Sequence, residues 1–277
     1  MDYMHVFVSP LLLMGVIGGL FGVLLAIASV VFHVRQDERI GKIRAVLPGA
    51  NCGGCGCPGC DSYADAVVNE GAAANRCVVG GAAVTAKISE IMGIKAEETV
   101  PVRAFVRCRG CPEHSPRTAG YDGIHDCSSA AVIPGGTPAA CPFGCMGFGT
   151  CVKVCSFGAI AMGDDGLPKV DLSKCVGCGA CVSACPKGVL ALVPQTADVM
   201  VACNSHWKGP QVRSVCSAGC IACGLCAKNC PAEAITMDRD LAVIDPAKCT
   251  NCGLCAGKCP AKCIVTGQAR TEGKRSA

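Results

Sequence analysis

Tightly spaced cysteine runs are the part of this sequence that could do chemistry. The 277-residue chain contains 27 cysteines, and three runs have the spacing C-x2-C-x2-C-x3-C followed by proline. Such a run places three thiolates on one short loop around a [4Fe–4S] cluster, while its fourth cysteine binds the cluster of a neighbouring run. The chemistry would be one-electron transfer. The runs are Cys175, Cys178, Cys181, Cys185; Cys220, Cys223, Cys226, Cys230; and Cys249, Cys252, Cys255, Cys259.

Disulfides and zinc are the alternatives for so many cysteines. A cysteine content near a tenth is typical of small secreted disulfide-rich domains, but this chain is not small and its N-terminus is not that of an exported protein. Zinc ribbons also use C-x2-C pairs, usually as two pairs set apart by a longer stretch. The spacing therefore favours iron–sulfur clusters over both.

The N-terminal segment is apolar enough to cross a membrane. No charged residue occurs between Val6 and Phe32, and about twenty such residues span a bilayer as a helix. A signal peptide is the alternative, but the leader carries Asp2, lacks a basic region and has too long an apolar run. Basic residues follow the span, which by the positive-inside rule predicts a single-pass protein of the inner (cytoplasmic) membrane with its clusters on the cytoplasmic side. These residues are His33, Arg35, Arg39, Lys42 and Arg44.

A glycine-rich cysteine loop follows the anchor. Residues 52–60 read CGGCGCPGC, a helix is predicted from Asp61 to Glu70, and Cys77 precedes a glycine pair. The glycines let backbone N–H groups approach the sulfurs of a cluster. A single cluster is predicted on Cys52, Cys55, Cys60 and Cys77, with Cys57 as an extra cysteine, although spacing alone does not fix the choice among the loop cysteines.

Beyond residue 120 the chain repeats itself at an offset of about 75 residues. A short β segment follows each cysteine run, at 159–162, 189–192, 234–237 and 263–266. This pattern predicts two tandem α+β domains of two clusters each. In the alignment of the repeats, Cys141, Cys145, Cys151 and Cys155 correspond to Cys216, Cys220, Cys226 and Cys230.

Exchange of the fourth ligands between neighbouring runs assigns the remaining clusters. The first domain departs from the pattern, because Phe148 stands where Cys223 stands in the second. Cys141 is one candidate for the missing ligand, and an incomplete site is the alternative. The predicted sets are Cys175, Cys178, Cys181 with Cys155; Cys249, Cys252, Cys255 with Cys230; Cys220, Cys223, Cys226 with Cys259; and Cys145, Cys151, Cys185 with one more cysteine.

Three cysteines lie in a segment rich in glycine and proline before the repeats. Cys108, Cys111 and Cys127 could hold a further cluster together with Cys141, in competition with the broken set, or they could be structural thiols. Cys216 is a further candidate ligand. Five [4Fe–4S] clusters are therefore predicted, with a sixth as a candidate. The cysteines left unassigned are Cys57, Cys203 and Cys263, and no histidine has ligand spacing.

The predicted organisation is α+β, with a single N-terminal transmembrane helix, a small 4Fe–4S domain and two tandem ferredoxin-like 2[4Fe–4S] domains. The boundaries are 1–34 for the transmembrane anchor, 35–48 for a basic juxtamembrane link, 49–97 for the single-cluster domain, 98–140 for the cysteine-containing insert, 141–195 for ferredoxin-like domain 1, and 196–277 for ferredoxin-like domain 2.

The order of these parts resembles the RnfB family, the iron–sulfur subunits of the Rnf complex. The resemblance covers nearly the whole chain and rests on the anchor, on the motif GANCGGCGCPGCDSYADA from Gly49 to Ala66, and on the ferredoxin repeats. The insert YDGIHDC, ending at Cys127, resembles the longer form found in anaerobic bacteria. Two departures are Cys57, where an aromatic residue is usual, and Ser156, where proline is expected.

The resemblance implies a function for an assembly. That assembly oxidises reduced ferredoxin, reduces NAD+ and exports Na+ or H+, and the member that this chain resembles accepts the electron from soluble ferredoxin. The implied partners are the other Rnf subunits (A, C, D, E and G), soluble ferredoxin and the membrane, with no nucleic acid.

The residues themselves favour an electron carrier. A G-x-G-x-x-G turn between a strand and a helix is absent from the sequence, so no NAD site is predicted on this chain. The alternative function is a membrane-anchored polyferredoxin relay for a hydrogenase or a quinone-linked reductase; a cluster scaffold is a third. The formal charge of +4 counts thiols as neutral, so bound clusters would make the protein acidic. Arg103, Arg107, Arg109 and Arg117 are candidates for steering a partner, with an ordinary solvated face as the alternative.

Overall fold

The computed structural model describes residues 9–31, 37–96, 100–118, 120–134 and 137–267. Asp2, His5, His33 and Arg35 lie outside these residues. The helices are α1 (Ser9–Val31), α2 (Glu38–Val46), α3 (Cys60–Asn69), α4 (Gly81–Met92), α5 (Cys127–Ala131), α6 (Thr150–Lys153), α7 (Ala180–Ser183), α8 (Gly209–Val215), α9 (Leu225–Lys228) and α10 (Leu254–Lys258). The strands are β1 (Val102–Val106), β2 (Ile160–Met162), β3 (Pro168–Val170), β4 (Leu190–Pro194), β5 (Val199–Val201), β6 (Ile235–Asp238), β7 (Leu241–Ile244) and β8 (Ile264–Thr266).

Helix α1 is the predicted membrane anchor. It has 23 residues and is therefore about 35 Å long at 1.5 Å per residue, which exceeds the hydrocarbon thickness of about 30 Å. From Leu11 to Val31 it is apolar enough to cross a membrane, and none of it is buried against the rest of the protein. The single N-terminal apolar helix expected from the sequence is confirmed.

Helices α2, α3 and α4 form a small helical domain. Ile43, Tyr63 and Ile88 are almost completely buried in its core, and the Tyr63 hydroxyl donates a hydrogen bond to the carbonyl oxygen of Ala73 at 2.8 Å. The segment predicted as a juxtamembrane link contributes α2 to this core, because Ile40, Ile43 and Leu47 follow helical spacing. The Asp37 carboxylate caps α2 by accepting the Arg39 N–H at 2.8 Å.

Two similar units, each built from two antiparallel strand pairs, follow the helical domain. In the first unit β2 pairs with β3 and β1 pairs with β4; in the second, β6 pairs with β7 and β5 pairs with β8. The four β segments expected after the cysteine runs are all present, as β2, β4, β6 and β8. Strand β1 comes from the segment predicted as an insert, and its register runs from Val102 opposite Pro194 to Val106 opposite Leu190. Strand β1, from the insert, is thus the counterpart of β5 in the second unit.

Glycines permit the tight turns that carry the cysteines. The residue before each of α6, α7, α9 and α10 is a glycine with φ of 71°, 83°, 69° and 73° respectively. A side chain would disfavour this left-handed conformation. Each turn leads directly into a one-turn helix that contains one cysteine of the run. The two units then meet through Phe105, Met200 and Val265, which share a small buried cluster.

Candidate metal centres

The helical domain brings together the four cysteines predicted for its single cluster. Cys52, Cys55, Cys60 and Cys77 line one cavity next to the buried Tyr63 ring. Burial raises the pKa of the Cys77 thiol, and the nearby thiols of the other three raise it further. Asn51 fixes the loop, because its side-chain oxygen accepts the N–H of Cys60 at 2.8 Å.

Cys57 does not line this cavity. Burial is the main cause of the raised pKa of its thiol, and the neighbouring Cys55 raises that pKa further. Cys57 instead packs partly buried against the helical core, and its interpretation as an extra cysteine stays a prediction.

The unbroken set of the first unit also converges. Burial raises the pKa of Cys181 to about 12, and the neighbouring thiols of Cys178, Cys175 and Cys155 contribute in the same direction. Backbone N–H groups point at two of the sulfurs: Ala104 N lies 3.4 Å from Cys175 Sγ, and Ala159 N lies 3.3 Å from Cys155 Sγ. Donors of this kind adjust the reduction potential of a bound cluster.

Cys127, rather than Cys141, lies beside the three cysteines of the broken set of the first unit. One cavity is lined by Cys127, Cys145, Cys151 and Cys185. Burial raises the pKa of Cys151 to about 11, with further increases from the thiols of Cys127 and Cys185. Cys141 lies at a different cavity.

The insert positions Cys127 through a short hydrogen-bonded chain. The Cys127 N–H donates to Thr150 Oγ1 at 2.7 Å, and that hydroxyl donates to the Asp126 carboxylate at 2.7 Å. Asp126 also caps α5 by accepting the Ser129 N–H at 3.0 Å. The signal that could have identified this ligand is an aspartate placed as a helix cap directly before a cysteine.

Phe148 has a packing role in place of a ligand. Its ring centroid lies 5.0 Å from that of Tyr121 and 5.3 Å from that of His125. Both partners belong to the YDGIHDC sequence that ends at Cys127. Phe148, which stands where the repeat predicts a cysteine, therefore packs against the segment that carries Cys127.

The second unit brings together one predicted set in full and three cysteines of the other. Cys220, Cys223, Cys226 and Cys259 line one cavity together with Cys263. For Cys255 of the other set, burial raises the pKa, and the nearby thiols of Cys249 and Cys230 add to the shift. The equivalence to the first unit extends to single donors. Ala234 N lies 3.4 Å from Cys230 Sγ, and Ala159 N lies 3.3 Å from Cys155 Sγ.

Cys263 is a neighbour of two ligands in the second unit. Its sulfur lies 3.5 Å from Cys259 Sγ. A hydrogen bond from the Cys263 thiol lowers the pKa of Cys259 to about 5 and that of Cys220 to about 6. The pKa of Cys263 itself is raised by the same two contacts.

A further cavity lies between the two units. Cys108, Cys141 and Cys216 line it, as does Cys203, which cysteine spacing had left unassigned. Cys111 is buried nearby but lines a different and larger cavity.

The donor sets fit iron–sulfur clusters. All 27 cysteines lie within the described residues, and no disulfide joins any of them. Within those same ranges, no group of three His, Cys, Asp or Glu side chains converges closely enough to hold one metal ion. The thiols instead stand around cavities, and thiolates arranged in fours are the ligands of [4Fe–4S] clusters.

Three of the four arginines considered for steering make hydrogen bonds to backbone carbonyl groups of the protein. Arg103 is buried and donates to the Ala197 carbonyl oxygen at 2.6 Å. Arg109 donates to the carbonyl oxygen of Lys262, and Arg117 donates to that of Met146 at 3.2 Å. Arg107 is partly buried, and this burial lowers its pKa.

The fold and the cysteine sets define an iron–sulfur protein of the ferredoxin type with an N-terminal apolar helix. Family models agree: "Putative Fe-S cluster" matches residues 47–79, "4Fe-4S binding domain" residues 168–191, and "4Fe-4S dicluster domain" residues 219–263.

Curated relatives identify the particular family. The chain is 48% identical over 236 residues to the B subunit of the Na(+)-translocating ferredoxin:NAD(+) oxidoreductase complex of Acetobacterium woodii, covering 85% of this chain and 71% of the relative. It is 48% identical over 243 residues to the B subunit of the proton-translocating ferredoxin:NAD(+) oxidoreductase complex of Clostridium ljungdahlii, covering 87% and 85%. It is 42% identical to the B subunit of the ion-translocating oxidoreductase complex of Methanosarcina acetivorans, covering 88% and 92%. The chain belongs to this family, RnfB, which the sequence resemblance had indicated.

Proposed function

We propose that this chain relays electrons from reduced ferredoxin within a membrane complex that reduces NAD+ and exports Na+ or H+. A bound [4Fe–4S] cluster supplies the ability to take up and release one electron. The five proposed ligand sets are Cys52, Cys55, Cys60, Cys77; Cys155, Cys175, Cys178, Cys181; Cys127, Cys145, Cys151, Cys185; Cys220, Cys223, Cys226, Cys259; and Cys230, Cys249, Cys252, Cys255.

The observation that carries this proposal is the direct contact between neighbouring ligand loops. A Cβ built on Gly54, in the loop of the helical domain, would lie 2.6 Å from the carbonyl oxygen of Cys178. The two loops thus touch with no side chain between them. Further along, the thiol of Cys151 lies near enough to Cys181 to raise its pKa, after burial and the closer thiols. Electrons can therefore move from set to set over short distances.

The two ends of this series differ in exposure. Cys223 and Cys252 of the second unit are exposed, and the Leu254 side chain beside them is 52% exposed. Lys228 and Lys258, at the ends of α9 and α10, are also exposed. An apolar residue flanked by cations suits a partner that carries the net negative charge of its own cluster. We place the ferredoxin dock here.

The opposite end lies next to the membrane anchor. The helical domain follows α1 after only six residues, so its cluster set stands near the bilayer and suits transfer to the membrane-embedded part of the complex. We propose the Rnf subunits designated A, C, D, E and G as the other members. Arg39, Lys42 and Arg44 in α2 favour the cytoplasmic side for the whole cluster-binding part, in a single-pass protein of the inner membrane.

The coupling ion is decided elsewhere in the complex. No ionisable residue occurs between Leu11 and Val31 to form an ion pathway. The relatives named for Na+ and for protons are equally similar to this chain, at 48% identity each.

The relay is tested first by metal content and reduction. Full-length chain purified anaerobically is expected to contain at least about 20 irons and equal acid-labile sulfide, and to develop low-potential [4Fe–4S] signals in electron paramagnetic resonance as reduced ferredoxin is added. Little iron with stoichiometric zinc would overturn the proposal. Reduction by hydrogenase or quinol but not by ferredoxin would favour the membrane-anchored polyferredoxin relay.

The dock is tested by charge reversal. Lys228→Glu with Lys258→Glu is expected to slow reduction by ferredoxin about tenfold or more at low salt, with the difference shrinking as ionic strength rises. Lys153→Glu at the end of α6, the position equivalent to Lys228, is the matched control and should leave the rate unchanged. Equal rates for all three proteins would place the dock elsewhere.

A further inference from the structure

We propose that a sixth [4Fe–4S] cluster is held between the two ferredoxin-like units by Cys108, Cys141, Cys203 and Cys216, one pair of cysteines from each unit. The inference rests on the relay function proposed for the chain and adds a ligand set that bridges its two halves.

The lining of the cavity between the units carries this assignment. All four cysteines border it, and Cys108, Cys203 and Cys216 are each no more than 8% exposed. The ring of Phe143 covers one side, where it packs edge to face against Trp207 with centroids 5.8 Å apart. A buried space bordered by four thiols from distant parts of the chain matches the donor set of a cubane cluster.

The repeat relates the two pairs to each other. Cys141 and Cys216 are equivalent in the sequence alignment of the units. Cys108 and Cys203 are equivalent in the fold, because each stands two residues after the end of a strand, β1 or β5. In each case the N–H of the residue two positions later points back at the sulfur, at 3.3 Å from Gly110 and at 3.5 Å from Ser205. The repeat thus relates Cys108 and Cys141 of the first unit to Cys203 and Cys216 of the second.

Cys111 is the competing fourth ligand, since it directly follows Gly110, where a Cβ would lie 3.9 Å from Cys216 Sγ. It does not border the cavity, and the second unit has no counterpart for it among the described cysteines. The backbone of its turn is engaged locally, with its carbonyl oxygen accepting the N–H groups of His114 and Ser115. Cys203 fits better on both position and symmetry.

The surroundings of Cys203 suit a thiolate ligand. Burial raises the pKa of the Cys203 thiol. Two N–H donors oppose this effect, from Ser205 and from Cys220 at 3.3 Å, because donors to the sulfur favour a thiolate. The guanidinium of Arg107 is partly buried at the same cavity and lies near this thiol. A cation there offsets the net negative charge of four thiolates around a cluster.

The position of this set makes the relay continuous. Cys220 is a ligand of the second unit, and its backbone N–H contacts Cys203 directly. On the other side, Gly144 lines the same cavity and directly precedes Cys145, a proposed ligand of the first unit. An electron would enter from one neighbouring set and leave to the other, so that the donor is oxidised and the acceptor reduced by one electron with no proton transferred.

Metal counting on the full-length chain tests the proposal. Anaerobically purified wild-type protein is expected to contain about 24 irons, six clusters of four. Cys203→Ala is expected to contain about 20 irons, and the matched control Cys111→Ala about 24. Spin quantification after full reduction should fall by one cluster in Cys203→Ala alone.

Each other outcome contradicts a distinct claim. About 20 irons in the wild-type protein would remove the sixth cluster and leave the five-cluster relay standing, and this measurement does not depend on any variant folding. Loss of iron in Cys111→Ala, with retention in Cys203→Ala, would show that Cys111 and not Cys203 is the fourth ligand. Wild-type iron far below about 20, with zinc in its place, would overturn the proposed function instead.

Discussion

The two ferredoxin-like units have the same strands but obtain their cysteines differently. In the second unit, residues 199–266, both proposed sets are filled from the two unbroken runs. In the first, residues 102–194, Phe148 interrupts a run, and the proposed fourth ligand, Cys127, comes from a segment that packs on that phenylalanine. The fold therefore keeps the corners of a ligand set, while the segment that supplies each corner can change.

Metal removal should have the largest effect and should affect both units alike. In the second unit, five of the ten core residues are cysteines: Cys203, Cys220, Cys226, Cys255 and Cys263. Without iron these thiols lose their common binding partner, and the remaining apolar core is too small to hold the strands together. Anaerobic chelation is expected to abolish the β signal in circular dichroism and the cooperative thermal transition. An apoprotein that kept both would show that aliphatic packing suffices.

Loss of the substitute ligand should cost one whole cluster. Cys127→Ala is expected to lose about four irons per chain, the same loss as Cys223→Ala at the equivalent corner of the second unit. Cys57→Ala, which removes a cysteine outside the proposed sets, is the control and should keep its iron. If Cys127→Ala also kept its iron, the corner would belong to another residue.

A further variant moves the ligand back into the run and makes the first unit like the second. Phe148→Cys on the Cys127→Ala background restores the spacing at positions 145, 148 and 151. The double variant is expected to regain the roughly four irons lost by Cys127→Ala, as measured by iron and sulfide content. Failure to regain them, with other clusters intact, would show that the first unit needs the insert for more than its thiol.

A side chain at position 54 should expose the loop of Cys175 to Cys181, which Gly54 covers in the first unit. Gly54 packs against Cys178, whereas the equivalent Cys252 is exposed. Gly54→Ala is expected to weaken this contact by about 1–3 kcal/mol through overpacking. Hydrogen exchange in the loop of Cys175 to Cys181 should accelerate while iron content stays constant. Gly41→Ala in α2, where a Cβ meets nothing within 4 Å, should not change the exchange rate.

The smallest effect should come from Cys263, whose counterpart in the first unit is Val189. Cys263→Val removes the thiol hydrogen bond to the Cys259 sulfur and keeps a buried apolar side chain of similar size. Such bonds favour the reduced cluster, so the potential of that site should fall by a few tens of millivolts, since about 59 mV is a tenfold change for one electron. A redox titration followed by electron paramagnetic resonance measures this. An unchanged potential would assign Cys263 to packing alone.

Sequence spacing alone yields a complete predicted set wherever its cysteines lie in C-x2-C runs. The second unit, the four short strands and the anchor could be predicted because turn, helix start and thiol are coded within a short stretch of chain. Cys127 could not be assigned, because its position depends on Thr150 and on the packing of Tyr121 against Phe148. Cys203 was left unassigned for the same reason, because the cavity that it lines forms only where the two units meet. The basic link was predicted, but its contribution to the core of the helical domain was not, because the burial of Ile43 depends on α3 and α4.

The short connection between α1 and α2 limits how far the first cluster set can travel. Helix α1 ends at Val31 and α2 begins at Glu38, and a connection of this length extends to at most about 25 Å. Because α2 is part of the core that surrounds Cys77, that limit applies to the cluster-binding domain itself. With α1 in the bilayer, the helical domain stays close to the membrane surface. In the proposed relay, its cluster set would search for an acceptor in two dimensions, within a radius shorter than the length of α1.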